Sequence, residues 1–117
     1  MSVEYSTDLY FGCRCEGHYY KVLSILDSLP ESEEKEELEG AAEEYFFHLN
    51  AWSGEEVFFG ERVIGLGDSE YTYSLKEMLE LKEKYTSEPS FLTLYSFLTK
   101  QIPDFPPLDF YIVNTIY

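Results

Sequence analysis

The sequence predicts an α+β fold: one compact domain, residues 1–117, in which a small antiparallel or mixed sheet packs against about four helices. Three observations carry that prediction. Short apolar runs with β-type alternation occur near the start and the middle of the chain. Serine-led capping signatures open segments of helical periodicity. A proline-rich turn precedes a nearly unbroken apolar run at the C-terminal end. Hydrophobic residues make up 44% of the chain and aromatics 18%, enough to build a core despite the high charge.

The first element is an extended segment around residues 3–15, with a possible break at Thr7. Val3, Tyr5, Leu9, Phe11, Cys13 and Cys15 share one parity and so one face of a strand, while Asp8 and Arg14 fall on the other. Tyr19, Val22, Leu23, Leu26 and Leu29 follow helical spacing, which ends at Asp27-Ser28-Leu29-Pro30. Ser28 with Glu31 forms a candidate capping box, so a second helix is expected from about residue 30. On it Leu38, Ala41, Ala42, Tyr45, Phe46 and Leu49 line one face, which extends the predicted helix through Leu49.

Val57-Phe58-Phe59 and Val63-Ile64 read as two short strands bounded by glycines, with Gly60-Glu61 as the hairpin turn. Ser74 and Glu77 form a second capping box, opening a helix that carries Leu75, Met78, Leu79 and Leu81 and fades near Tyr85. Ser87-Glu88-Pro89 opens another. Phe91, Leu94, Tyr95, Leu98 and Ile102 line one side of it, widened by Leu92 and Phe97, which predicts a central helix ended by Pro103. The last strand spans about Leu108–Tyr117, and its apolar run predicts burial on both faces.

The charge balance is extreme. Twenty-three acids oppose eight bases, for a net charge of −15. Such a chain repels nucleic acid and anionic membranes, and it attracts basic protein surfaces. Solubility alone needs a magnitude of only ~2–8 in a small domain. The acids are also patterned. Glu33, Glu36, Glu37, Glu43 and Glu44 fall opposite the apolar face of the second helix, and Glu55, Glu56, Glu61, Asp68 and Glu70 cluster around the central β region. The early glutamates favour the helix by sitting at the positive end of its dipole. Glu31 and Lys35 make one attractive i,i+4 pair, whereas Glu33–Glu36, Glu33–Glu37, Glu36–Glu39 and Glu39–Glu43 repel at about 0.2–0.5 kcal/mol each.

Other chemistry finds little footing. Cys13-x-Cys15-x-x-His18 holds three potential zinc ligands, but structural zinc sites space their cysteines more widely and in pairs. The two cysteines read instead as reduced core thiols, too close to form an unstrained disulfide. Gly65-Leu66-Gly67 lacks the third glycine of a phosphate-binding turn. The tyrosines lack the positively charged groove that a single-strand stacking platform needs, since Arg14, Lys21, Arg62, Lys76, Lys82 and Lys84 are scattered. No cofactor, metal or enzymatic activity is therefore predicted. Met1–Tyr10 lacks a basic start and a long apolar run, and no stretch reaches the ~20 apolar residues of a bilayer span, so the expected location is cytoplasmic.

Carboxylates three or four positions apart on a helix lie ~5–6 Å apart at their β-carbons. That spacing is comparable to the repeat of duplex phosphates, which rise about 3.4 Å per residue on each strand. In length, acidity and orderly patterning the chain resembles the bacterial DNA-mimic proteins, and more narrowly the small mimics that bind the histone-like nucleoid protein HU. The resemblance is of type and rests on no shared motif. It implies a monomer or weak dimer that competes with DNA for a basic DNA-binding protein. Glu33, Glu36, Glu37, Glu43 and Glu44 would be its first phosphate surrogates, and Glu55, Glu56, Glu61 and Asp68 the next. That choice comes from the helical wheel. The alternative is an immunity or anti-defence inhibitor that uses the same acids against a nuclease or another basic enzyme.

Overall fold

The computed structural model describes residues 5–51, 54–65 and 74–116. Its elements run β1 (Tyr5–Arg14), α1 (Tyr19–Asp27), α2 (Glu33–Tyr45), β2 (Phe46–Ala51), β3 (Gly54–Gly65), α3 (Leu75–Lys84), α4 (Pro89–Gln101) and β4 (Asp109–Ile116). The fold is α+β, with four helices and one four-stranded sheet of order β2-β3-β1-β4, every neighbouring pair antiparallel.

Strand register sorts the side chains onto two faces. Cys13 lies opposite Phe59, and Phe59 opposite Phe46, so these three share a face. Helices α1, α2 and α4 pack there through Val22 and Leu26, through Leu38, Ala41 and Tyr45, and through Phe91, Leu94, Leu98 and Ile102. Phe59 is fully buried at the centre, with its ring stacked on Phe91 at 4.7 Å and tilted against Phe46 at 4.7 Å. On the opposite face Tyr10, Phe47 and Tyr111 ring Phe58 at centroid distances of 5.4–5.8 Å. β1 and β3 approach so closely at Gly12 that a β-carbon there would sit 2.0 Å from the Phe59 carbonyl oxygen. Only glycine fits at that crossing.

Several local expectations change once the strands pair. Phe46 and Leu49 do not extend α2. The chain turns extended at Phe46, and β2 pairs with β3 from Phe46↔Phe59 to Ala51↔Gly54. The helical spacing of Phe46 and Leu49 is real, but pairing with an aromatic strand outweighs it, as β-formers at a helix end allow. Nor do Gly60 and Glu61 form a hairpin turn. β3 runs straight through them, with Gly60 opposite Gly12 and Glu61 opposite Phe11. The glycine marks a close contact, because a β-carbon at Gly60 would lie 2.4 Å from the Phe58 ring.

The expected Ser28 capping box is also replaced. Ser28 closes α1, where its hydroxyl donates to the Ile25 carbonyl at 2.8 Å. Ser32 caps α2 by accepting the Lys35 N–H at 3.1 Å. Ser74 caps α3 as the sequence predicts, accepting the Glu77 N–H at 3.2 Å. The Leu75–Leu81 stripe of α3 does not enter the core. No residue of that helix is buried, and Leu75 and Leu79 are exposed. Strand β4 is an edge strand with Val113 buried and Ile112 exposed, so its apolar run is not covered on both faces. Among the described residues, no helix is long and apolar enough to cross a membrane.

Candidate functional site

Helix α2 sits on the sheet through Leu38, Ala41 and Tyr45, all buried. The Tyr45 hydroxyl meets the Ser90 hydroxyl at 2.7 Å and ties the end of α2 to the start of α4. This anchoring turns the other side of α2 outward. Glu33, Glu36, Glu37, Glu43 and Glu44 are all exposed. None of the five forms an ion pair among the described residues. They make a fixed row of carboxylates on a helix held from behind.

The helix's own lysine does not neutralise that row. Lys35 points to the flank beside α1, where it is largely buried. Its ammonium lies 3.0 Å from Glu31 and 3.6 Å from Glu39, and donates to the Asp27 carbonyl at 3.4 Å. The hydrogen bond to Glu31 raises the Lys35 pKa above its ordinary value, against the opposing effect of burial. The Glu31–Lys35 pair is therefore present as the sequence predicts. The same cation also absorbs Glu39, which the sequence pattern places among the mutually repelling acids.

Of the second group of predicted site residues, the side chains of Glu56 and Glu61 are described, and both are engaged within the fold. Glu56 is half-buried and paired with Arg14 at 2.9 Å. Glu61 is a correction to the expected site: only 6% exposed, it cannot present its carboxylate to a partner. One of its oxygens accepts the Glu88 N–H at 2.8 Å, and the other accepts the Tyr85 hydroxyl. Burial, followed by this hydrogen bond, pushes the Tyr85 phenol well above its ordinary pKa. Glu61 thus fastens the segment between α3 and α4. Nothing in its local sequence reveals this, because both donors lie more than twenty residues away. Asp68 and Glu70 lie outside the described residues, as does the side chain of Glu55.

Cys13 and Cys15 are free thiols, both buried. Burial pushes the Cys13 pKa up to about 12 and raises that of Cys15 as well. The Cys15 thiol points at the Val57 carbonyl at 3.6 Å, as a weak donor on a strand end. His18 faces elsewhere. Its ring lies 5.8 Å from Phe105 and pairs with Asp104 at 3.3 Å, which holds that carboxyl below its usual range. Among the described residues, no group of three or more histidine, cysteine, aspartate and glutamate side chains is placed to hold a metal ion.

A groove runs along the α2–α4 junction. Its cavity is about 440 Å³, with Leu38, Ala41 and Pro89 in its lining and Glu34, Glu37 and Glu44 on the α2 side. Most of the lining surface is apolar. The sequence wheel does not single out Glu34, because the groove exists only once α4 lies against α2. Comparisons with protein-family models, curated proteins and solved structures found no match to this chain.

Proposed function

We propose that this protein is a decoy that uses the carboxylate row of α2 to occupy the DNA-binding surface of a basic protein. The observation that supports the reading is the exposed state of Glu33, Glu36, Glu37, Glu43 and Glu44, with no basic side chain among the described residues paired to any of them. Five like charges on a rigid, back-anchored helix keep their mutual repulsion until a partner's lysines and arginines relieve it. That stored repulsion favours a basic partner over water and disfavours nucleic acid itself. The basic partner implied by the resemblance to DNA mimics is the histone-like protein HU.

The α2 row is the core of the proposed surface. Glu56 gives part of its charge to Arg14, and Glu61 is withdrawn from the surface. The test is a competition. Purified protein is titrated with HU, and the complex is challenged with duplex DNA. DNA should displace the protein, and the affinity should fall steeply as salt shortens the Debye length from about 10 Å at 0.1 M. Glu33→Gln, Glu37→Gln and Glu44→Gln together should weaken the complex strongly while the fold stays intact. Full affinity in the triple variant would overturn the reading. A nuclease or another basic enzyme captured in place of HU would keep the decoy chemistry and change its target.

A further inference from the structure

The groove between α2 and α4 adds a demand that a plain row of charges does not make. Its lining is mainly apolar, and Glu34, Glu37 and Glu44 stand along its α2 side. All three carboxylates are exposed, and none is ion-paired among the described residues. From Glu34 to Glu44 the helix rises about 15 Å, close to three turns. Glu34 and Glu37 lie one turn apart, and Glu37 and Glu44 two turns apart. A helix laid along the groove repeats its own side chains at those same intervals, so its lysines or arginines can meet the acids in register. Its aliphatic residues, on the adjoining stripe, then face the apolar floor.

We propose that this groove receives an amphipathic helical segment of the partner, with basic residues along one flank and aliphatic residues directed inward. The proposal rests on the decoy reading and deepens it by stating the form of the partner's contact. Charge complementarity selects this occupant over a second copy of the chain, because two molecules of charge −15 repel one another. It also separates the groove from phosphate imitation: a nucleic-acid backbone offers its partner no apolar floor.

The test uses two lysine/leucine peptides of about four helical turns with identical composition. In one the leucines form a single stripe; in the other their order is scrambled around the helix. Binding to the intact protein is measured by calorimetry at about 0.15 M and about 0.5 M salt. The striped peptide should bind roughly tenfold or more tightly than the scrambled one, since only it can bury leucines in the groove, and the ratio should persist at the higher salt. Thr93→Trp places bulk in the groove from an exposed position of α4 without altering the net charge, and it should abolish the preference. Equal affinities for the two peptides, or a preference that survives Thr93→Trp, would overturn the groove and leave the decoy reading standing. Failure of both peptides to bind would overturn both.

Discussion

Replacing Glu61 by alanine tests whether an acid in this protein serves the fold or the surface. The carboxylate is buried and accepts two hydrogen bonds, one from the Glu88 N–H at 2.8 Å and one from the Tyr85 hydroxyl. Truncation removes the carboxylate acceptor of both donors and leaves Ser87 as the side chain beside the Tyr85 hydroxyl. A hydrogen bond to a charged group contributes about 1.5–3 kcal/mol, and a stranded buried donor costs about 1–3 kcal/mol. Water entering the vacated space recovers part of the loss, so a net destabilisation of about 2–4 kcal/mol is expected. One fewer negative charge in a strongly acidic protein offsets only a small part of this. At this chain length about 1 kcal/mol corresponds to roughly 4 °C, so Tm should drop by about 8–16 °C. Thermal unfolding followed by circular dichroism measures the shift, and amide exchange at Glu88 should accelerate. Glu61→Gln, which keeps an acceptor oxygen for Glu88, should lose less. A Tm within about 2 °C of the wild type for Glu61→Ala would refute the argument, and would return Glu61 to the surface acids.

The Glu33→Gln, Glu37→Gln, Glu44→Gln variant should unfold in urea within about 1 kcal/mol of the wild type, because relieved repulsion of about 0.2–0.5 kcal/mol per pair offsets the lost dipole interaction of Glu33. Gly12→Ala drives a methyl group into the Phe59 carbonyl, so it should destabilise the sheet by about 2 kcal/mol or more and lower soluble yield. The cysteines set an alkaline limit. Folding raises the Cys13 pKa from the ordinary 9.0 to about 12, so the folded state keeps a proton that the unfolded chain releases. The contribution is fully present below about pH 9 and is lost as pH rises toward about 12. Denaturation midpoints measured across that range should fall with pH, and a thiol reagent at neutral pH should label Cys13 and Cys15 only after unfolding.

The comparison between prediction and structure is sharpest at α4 and at β2. For α4 the periodicity of Phe91, Leu94, Leu98 and Ile102 is enough, and all four are completely buried. A single helix face is a local property, so local spacing reveals it. Phe46 also fits a helical wheel, yet it belongs to a strand, because its partner Phe59 lies outside any local window. The row of exposed acids on α2 was legible for the first reason. The groove beside it was not, since part of its lining, Pro89, Ser90 and Thr93, comes from α4.

What the sequence by itself determined is the excess of negative charge, the helical face that concentrates part of it, and the apolar face that anchors the same helix. Composition and 3.6-residue periodicity suffice for these, because both act within one segment. The tertiary structure alone decided which acids remain available. Arg14 takes up Glu56, and Tyr85 with the Glu88 N–H draws Glu61 inside. A carboxylate's role depends on the donors that reach it, and the decisive ones for Glu56 and Glu61 arrive from 24 to 42 residues away. No spacing rule along the chain can encode that distance; only the packed sheet and helices bring the groups into contact.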